Sequence, residues 1–260
     1  MAQYLDTDDT WIRERTGVKS RHISGDKETT ADMAVKAAEK ALENSGLLPD
    51  EIDLIIVSSV SSNLVLPSTA CFVQKAINAK NAFCFDINVA CTGFITAYNI
   101  SQTFINTGLI NTALIIGAES LSKITDWSDR KTCILFGDGA GAVVIKKDEN
   151  AMFETVMFSN GKNGDALTME NPFALRKTNL GKNHQGQFDI SFQDIQKTYI
   201  NMDGGEIFKF AVKKVPECIE ARLEKIHMDK DEIDKYLLHQ ANSRIIEGIA
   251  KRSKIPLEKI

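Results

Sequence analysis

The chain has 260 residues, 43% of them hydrophobic, with 31 Lys and Arg against 35 Asp and Glu for a formal net charge of −4. That length suits one large α/β domain or two smaller ones with a sizeable core, and without a cationic excess to neutralise phosphates no nucleic-acid partner is expected. No apolar run is long enough to span a bilayer, the N-terminus lacks the basic-then-apolar layout of a secretory leader, and the five cysteines are widely spaced, which together predict a cytoplasmic protein with no membrane partner.

In chain order, Thr29 or Thr30 caps a helix in which Met33, Ala34, Ala37, Ala38, Ala41 and Leu42 recur at helical spacing, and Gly46 ends it. Residues 53–59 (DLIIVSS) read as a buried strand. Pro67, suited to a first helical position, opens a helix to about Ile77. Residues 83–88 read as a strand, a helix runs from Cys91 to about Asn106, and residues 112–118 read as another buried strand. Strands that alternate with helices and lack polar positions predict a sheet covered on both faces. The run Gly137-Asp138-Gly139-Ala140-Gly141-Ala142 is followed by a strand pattern, Val143 onward, where a dinucleotide loop needs a helix N-terminus. No cofactor is expected there, and the glycines read as permitting close backbone approach. Residues 159–187 form a polar excursion, a lid or a dimer arm.

An internal repeat links the two ends. Residues 39–53 and 220–234 align without a gap at an offset of 181, sharing Glu, Leu, Glu and then Asp-Glu-Ile-Asp. Each copy reads as a helix, a short turn and the start of a strand. The offset places Ser58 opposite His239, so His239 is expected at the end of a second strand, where open α/β sheets carry their chemistry. The expected division is residues 1–150 as one half and 151–260 as the other.

Cys91 lies where an apolar strand gives way to a helix. Free N–H groups and the positive end of the helix there favour thiolate, the nucleophilic form; the competing reading is a small buried hydrophobe. His239, in Leu237-Leu238-His239-Gln240-Ala241-Asn242, is placed to orient a thiolate or to donate to a developing oxyanion, or else is satisfied by a backbone carbonyl. His22, His184 and His227 sit in loop-like contexts, and Cys71, Cys84, Cys133 and Cys218 read as packing residues. No Cys/His spacing fits zinc, so no metal is expected. Arg244, Lys251, Arg252 and Lys254 follow His239 on a helix, either a solvated face or a docking patch for an acidic partner.

Taken together, the segments 88–94, 136–142 and His239-Gln240-Ala241-Asn242, with 6–17 and Asp129-Arg130, resemble the 3-oxoacyl-[acyl-carrier-protein] synthase III family. The resemblance implies an α/β thiolase-like fold, a duplicated αβαβα layered sandwich, agreeing with the repeat. It implies that Cys91 takes an acyl group from acyl-CoA as a thioester, and that malonyl-carrier protein loses carbon dioxide and attacks it. His239 would stabilise charge on the malonyl thioester oxygen. Trp11, Arg15 and Arg130 would hold CoA, and Lys209, Arg244, Lys251 and Arg252 would meet the acidic carrier protein. Leu66 would gate the partner subunit's acyl pocket in a homodimer, with room for a primer larger than acetyl.

The family's triad Asn and C-terminal glycine-rich loop would lie past Ile260, and its first strand before Tyr4. The chain is therefore expected to be a fragment, incomplete at both ends, with little condensing activity by itself. The other readings are a synthase III-like acyltransferase of secondary metabolism, a non-catalytic binding partner, and a thioester hydrolase using the Cys/His pair.

Overall fold

The computed structural model describes residues 5–171, 178–182, 188–192 and 198–260, with 178–182 and 188–192 described by backbone alone. Helix α1 (Asp9–Thr16) starts where the Asp8 carboxylate accepts the Trp11 N–H at 2.8 Å and stops at Gly17, whose φ of 75° is open to glycine. Helix α2 (Thr30–Ser45) opens on a capping box between Thr29 and Asp32 and ends at left-handed Gly46. Strand β1 (Leu54–Ser58) follows, then α3 (Thr69–Ile77), β2 (Phe83–Ile87), α4 (Gly93–Asn106) and β3 (Thr112–Ser120). A short α5 (Arg130–Cys133) precedes β4 (Asp138–Lys146).

These strands form one sheet in the order β2-β1-β3-β4, parallel except for β4, which runs antiparallel to β3. Every residue of β1 is buried, as a central strand covered on both faces requires. Ile55 and Val57 pack with Ala34, Ala38 and Leu42 of α2 and Ala70 and Val73 of α3. Leu54 and Ile56 point the other way, into a cluster with Ala97 and Ile105 of α4. Burying each such side chain contributes about 1.5–3 kcal/mol, so the alternation of β1 fixes which helices lie on which face.

The rest of the chain holds β5 (Leu167–Thr168), β6 (Thr178–Lys182), β7 (Phe188–Phe192) and β8 (Asn201–Met202), then α6 (Gly204–Ile226) and α7 (Ser243–Ser253). The polar excursion expected over 159–187 is not bare loop where it is described: β5 pairs β8, and β6 pairs β7, both antiparallel.

The repeat is visible in the backbone. Helices α2 and α6 end 181 residues apart, at Ser45 and Ile226, and each closes on a left-handed residue, Gly46 (φ 69°) and His227 (φ 56°). The turns Pro49–Glu51 and Lys230–Glu232 follow, entered from Leu48 (φ −79°, ψ 150°) and Asp229 (φ −80°, ψ 150°) and left through Ile52 (φ −85°, ψ 123°) and Ile233 (φ −84°, ψ 125°).

Four expectations need correction. Pro67 does not begin α3, because Ser68 caps that helix by accepting the Cys71 N–H and the Asp86 carboxylate takes the Thr69 and Ala70 N–H groups. Cys91 precedes α4, in a 3-10 turn of its own, Ala90–Thr92. The strand expected to lead into His239 is absent: residues 235–240 form no ladder with another strand among the described residues, and a strand exists only by pairing. Finally, Gly137 does lie against the backbone of His22 and the Cβ of Arg21, but Gly139 and Gly141 face open space.

Candidate active site

The parallel strands β1, β2 and β3 end on the same side of the sheet, and the chain beyond β2 carries Cys91 there. Two restraints bracket the thiol. Ala90 has φ of 45°, a conformation that costs a residue with a Cβ about 1–2 kcal/mol. Gly93 sits so close to β1 that an added Cβ would lie 1.7 Å from Ser58 Oγ. Between them Thr92 donates to the Val89 carbonyl through its N–H at 3.2 Å and its Oγ1 at 3.1 Å. Helix α4 has no side-chain N-cap, whereas the other α-helices among the described residues are capped by Asp8, Thr29, Ser68, Asp129, Asp203 and Asn242. Its first turn therefore presents backbone donors beside Cys91 rather than spending them on a cap.

The thiol's ionisation departs from expectation. Cys91 reaches solvent, yet the protein around it is close enough that desolvation pushes its pKa up; the residue's own N–H pulls the other way, and the Glu119 charge adds to the rise. Glu119, next to last in β3, accepts from the Val60 N–H at 3.0 Å and from the Ser61 hydroxyl. Desolvation nonetheless raises its carboxyl above the usual range. The loss of water thus outweighs the pull of the residue's own N–H at Cys91.

His239 is exposed along the segment that leads to Asn242, the cap of α7. Desolvation lowers its pKa and favours neutral imidazole.

The three residues expected to hold CoA come together. The Arg130 guanidinium lies 5.0 Å from the Trp11 ring centre and that of Arg15 lies 5.4 Å away. Arg130 also donates to the Asp6 carbonyl, and Trp11 packs against the cluster of Ile12, Cys133 and Ile134. Arg15 opens onto a cleft of about 630 Å³ shared with Gly204, Phe208, Asn242, Arg244, Glu247, Gly248 and Lys251. Arg244 and Lys251 therefore line the same cleft as Arg15. Lys209 stands apart in an ion pair with Glu206 at 2.7 Å, which raises its pKa. Arg252 is exposed on α7. Leu66 is 84% exposed at an apolar tip with Val65.

His184 lies outside the described residues. Neither Ala90 nor the Ser58–Gly93 contact is signalled by residue type or spacing, since alanine carries no turn signal and the contact joins distant segments. A polar residue ending the apolar run of β3 was the available signal for Glu119. Among the described residues no group of three or more His, Cys, Asp and Glu side chains gathers as a metal site, and no helix is long and apolar enough to cross a membrane.

Residues 85–161 match the family model of 3-oxoacyl-[acyl-carrier-protein] synthase III, and residues 223–260 match the model of its C-terminal part. Beta-ketoacyl-[acyl-carrier-protein] synthase III of Clostridium perfringens (strain SM101 / Type A) is 46% identical over 261 residues, covering 100% of this chain and 77% of that protein. The crystal structure of 3-oxoacyl-[acyl-carrier-protein] synthase III from Aquifex aeolicus VF5 is similar at 39% identity and a TM-score of 0.80, covering 99% of this chain and 76% of that one. That of the synthase III from Thermus thermophilus is similar at 33% identity and a TM-score of 0.85, with 99% and 76% covered.

Proposed function

The chain belongs to the 3-oxoacyl-[acyl-carrier-protein] synthase III family, and on that footing we propose that Cys91 is its nucleophile and His239 its oxyanion partner. The enzyme is an acyltransferase with the thiolase-like α/β fold. It condenses acyl-CoA with malonyl-carrier protein and so initiates fatty acid synthesis.

In the first half-reaction Cys91 Sγ attacks the acyl-CoA carbonyl, and the CoA thiol leaves with the proton that Cys91 gave up. In the second, malonyl-carrier protein loses carbon dioxide, and the electron pair left on its α-carbon attacks the acyl-Cys91 carbonyl. Collapse of that adduct expels the Cys91 thiolate and yields the 3-oxoacyl-carrier protein. Backbone donors at the uncapped start of α4 suit the charge that develops on the carbonyl oxygen at Cys91. His239 serves the malonyl thioester oxygen, a role that needs no contact with the thiol. A neutral imidazole has one N–H to donate, and its lowered pKa keeps it neutral.

Trp11 offers a stacking face, and Arg15 and Arg130 offer charge-assisted bonds to the CoA phosphates. Arg244 and Lys251 at the cleft, with Arg252 and Lys209 outside it, meet the acidic carrier protein. Leu66 at its exposed tip gates the acyl pocket of a second copy. A homodimer is supported by β2, whose outer edge has no strand partner among the described residues and carries the exposed Phe83. Residues 1–150 carry the nucleophile and 151–260 the histidine, in a cytoplasmic enzyme whose thioester substrates do the chemistry without a further cofactor.

The observation that carries the nucleophile is the location of Cys91 two residues before the only α-helix start without a side-chain cap among the described residues, at the carboxyl end of the sheet. Mass spectrometry after mixing with acyl-CoA tests it: an acyl adduct on Cys91, absent in Cys91→Ala, is expected. An adduct elsewhere, or one that persists in the variant, would end the assignment.

A further inference from the structure

Among the described residues four that are not glycine have positive φ: Asn78 (60°), Ala90 (45°), His227 (56°) and Lys254 (53°). Three of them do a known job. Asn78, His227 and Lys254 close α3, α6 and α7, where a left-handed residue lets the last carbonyls find donors. Ala90 closes no helix. It lies three residues past β2 and immediately before Cys91, and it is exposed, so core packing does not explain it.

The turn around it is tied on both sides. Thr92 is bonded to the Val89 carbonyl, and the Gly93 N–H donates to the Ala90 carbonyl. Gly93 in turn is pressed onto Ser58, the last residue of a strand paired on both edges. Cys91 is therefore held between a reversal at Ala90 and a fixed contact at Gly93. Glycine would accept the reversal with less strain but would also visit many other conformations. Alanine, once forced left-handed by the turn, has few alternatives nearby. An outlier of this kind is reason to look for a function.

We propose that Ala90 is a positioning residue: its left-handed backbone fixes the direction of the Cys91 side chain and so the approach of the sulfur to the acyl carbonyl. The proposal rests on Cys91 being the nucleophile. It goes beyond that assignment by giving the preceding residue a part in the rate.

The test compares the unaltered protein with Ala90→Gly and Ala90→Asn. Three quantities are read: acyl transfer from acyl-CoA to Cys91 by mass spectrometry, alkylation of Cys91 by iodoacetamide, and the thermal midpoint. In Ala90→Gly, acyl transfer at saturating acyl-CoA should fall about tenfold, because small misplacements of a reacting atom are costly. Alkylation, which tolerates many approach angles, should change less than about twofold, and the midpoint should hold or rise as strain is relieved. Asn tolerates the left-handed region while keeping a side chain, so Ala90→Asn should stay within about threefold of the unaltered rate. Undiminished transfer in Ala90→Gly would overturn the proposal. So would a joint fall of transfer, alkylation and midpoint, which marks loss of structure. No Cys91 adduct in the unaltered protein would remove the nucleophile assignment and this proposal together.

Discussion

Replacing Gly93 with alanine tests how firmly the nucleophile turn is seated on the sheet. The new Cβ would lie 1.7 Å from Ser58 Oγ and 2.9 Å from Ser58 Cβ. The hydroxyl can rotate away, but the Ser58 Cβ cannot, because β1 is bonded on one side to β2 and on the other to β3, with Ser58 opposite Ile87 and Gly117. The start of α4 must move outward by a few tenths of an ångström. Overpacking of this sort costs about 1–3 kcal/mol, and Cys91, two residues away, is carried along. Equilibrium urea unfolding should show Gly93→Ala destabilised by about 2 kcal/mol, and acyl transfer to Cys91 should slow by about ten- to a hundredfold. Ser58→Gly removes both offending atoms. Alone it should cost about 1 kcal/mol, as glycine does inside a strand, but combined with Gly93→Ala it should restore at least about 1 kcal/mol of the loss. A Gly93→Ala protein as stable and as fast as the parent, or a double variant whose losses simply add, would refute the contact as the reason for glycine.

Further outcomes follow from other parts of the site. Trp11→Ala should weaken acyl-CoA binding about tenfold by loss of the stacking face, with little change in transfer at saturation; isothermal titration reads the first and mass spectrometry the second. Arg244→Glu should slow encounter with carrier protein and reduce its salt dependence, seen in association rates measured at two ionic strengths. The Cys91 thiol is pushed above its ordinary 9.0, so its alkylation rate should still be climbing at pH 9; a midpoint below that pH would mean that the helix start outweighs desolvation. Asp138 accepts from the Ser24 N–H and Oγ at 2.7 and 2.9 Å and from the Ser122 N–H and Oγ at 2.8 and 2.7 Å. Desolvation opposes ionisation there, but the four donors together lower its pKa from 3.8. The carboxylate's stabilisation is therefore complete above the unfolded pKa and lost as pH falls through the lower folded one. Asp138→Ala should cost about 2 kcal/mol at pH 7 and flatten that acid loss in urea titrations.

Much of this was legible in the residues, where the cause is local. Thr29 and Gly46 bound α2 because capping chemistry acts within a turn, and the unbroken apolar run of β1 marks a strand covered on both faces. The repeat at an offset of 181 became a match of dihedral angles through the turn after each helix. What the sequence hid depends on distant partners. The start of α3 is set by Asp86, on a strand 17 residues away from Thr69. The segment before His239 carries a strand-like pattern, yet a strand is defined by its neighbours. The helix after Cys91 is visible in the sequence, whereas the water excluded around the thiol and the Glu119 charge, which push its pKa up, come from segments distant in the chain.

Gly46 and His227 occupy the same bend, although only one of them suits it by itself, and the imidazole-bearing residue adopts it against its own preference. The bend is thus dictated from outside by what leads in and out of it, and the residue at its apex is a passenger. Exchanging that passenger for glycine should leave the trace unaltered and make the protein harder to melt.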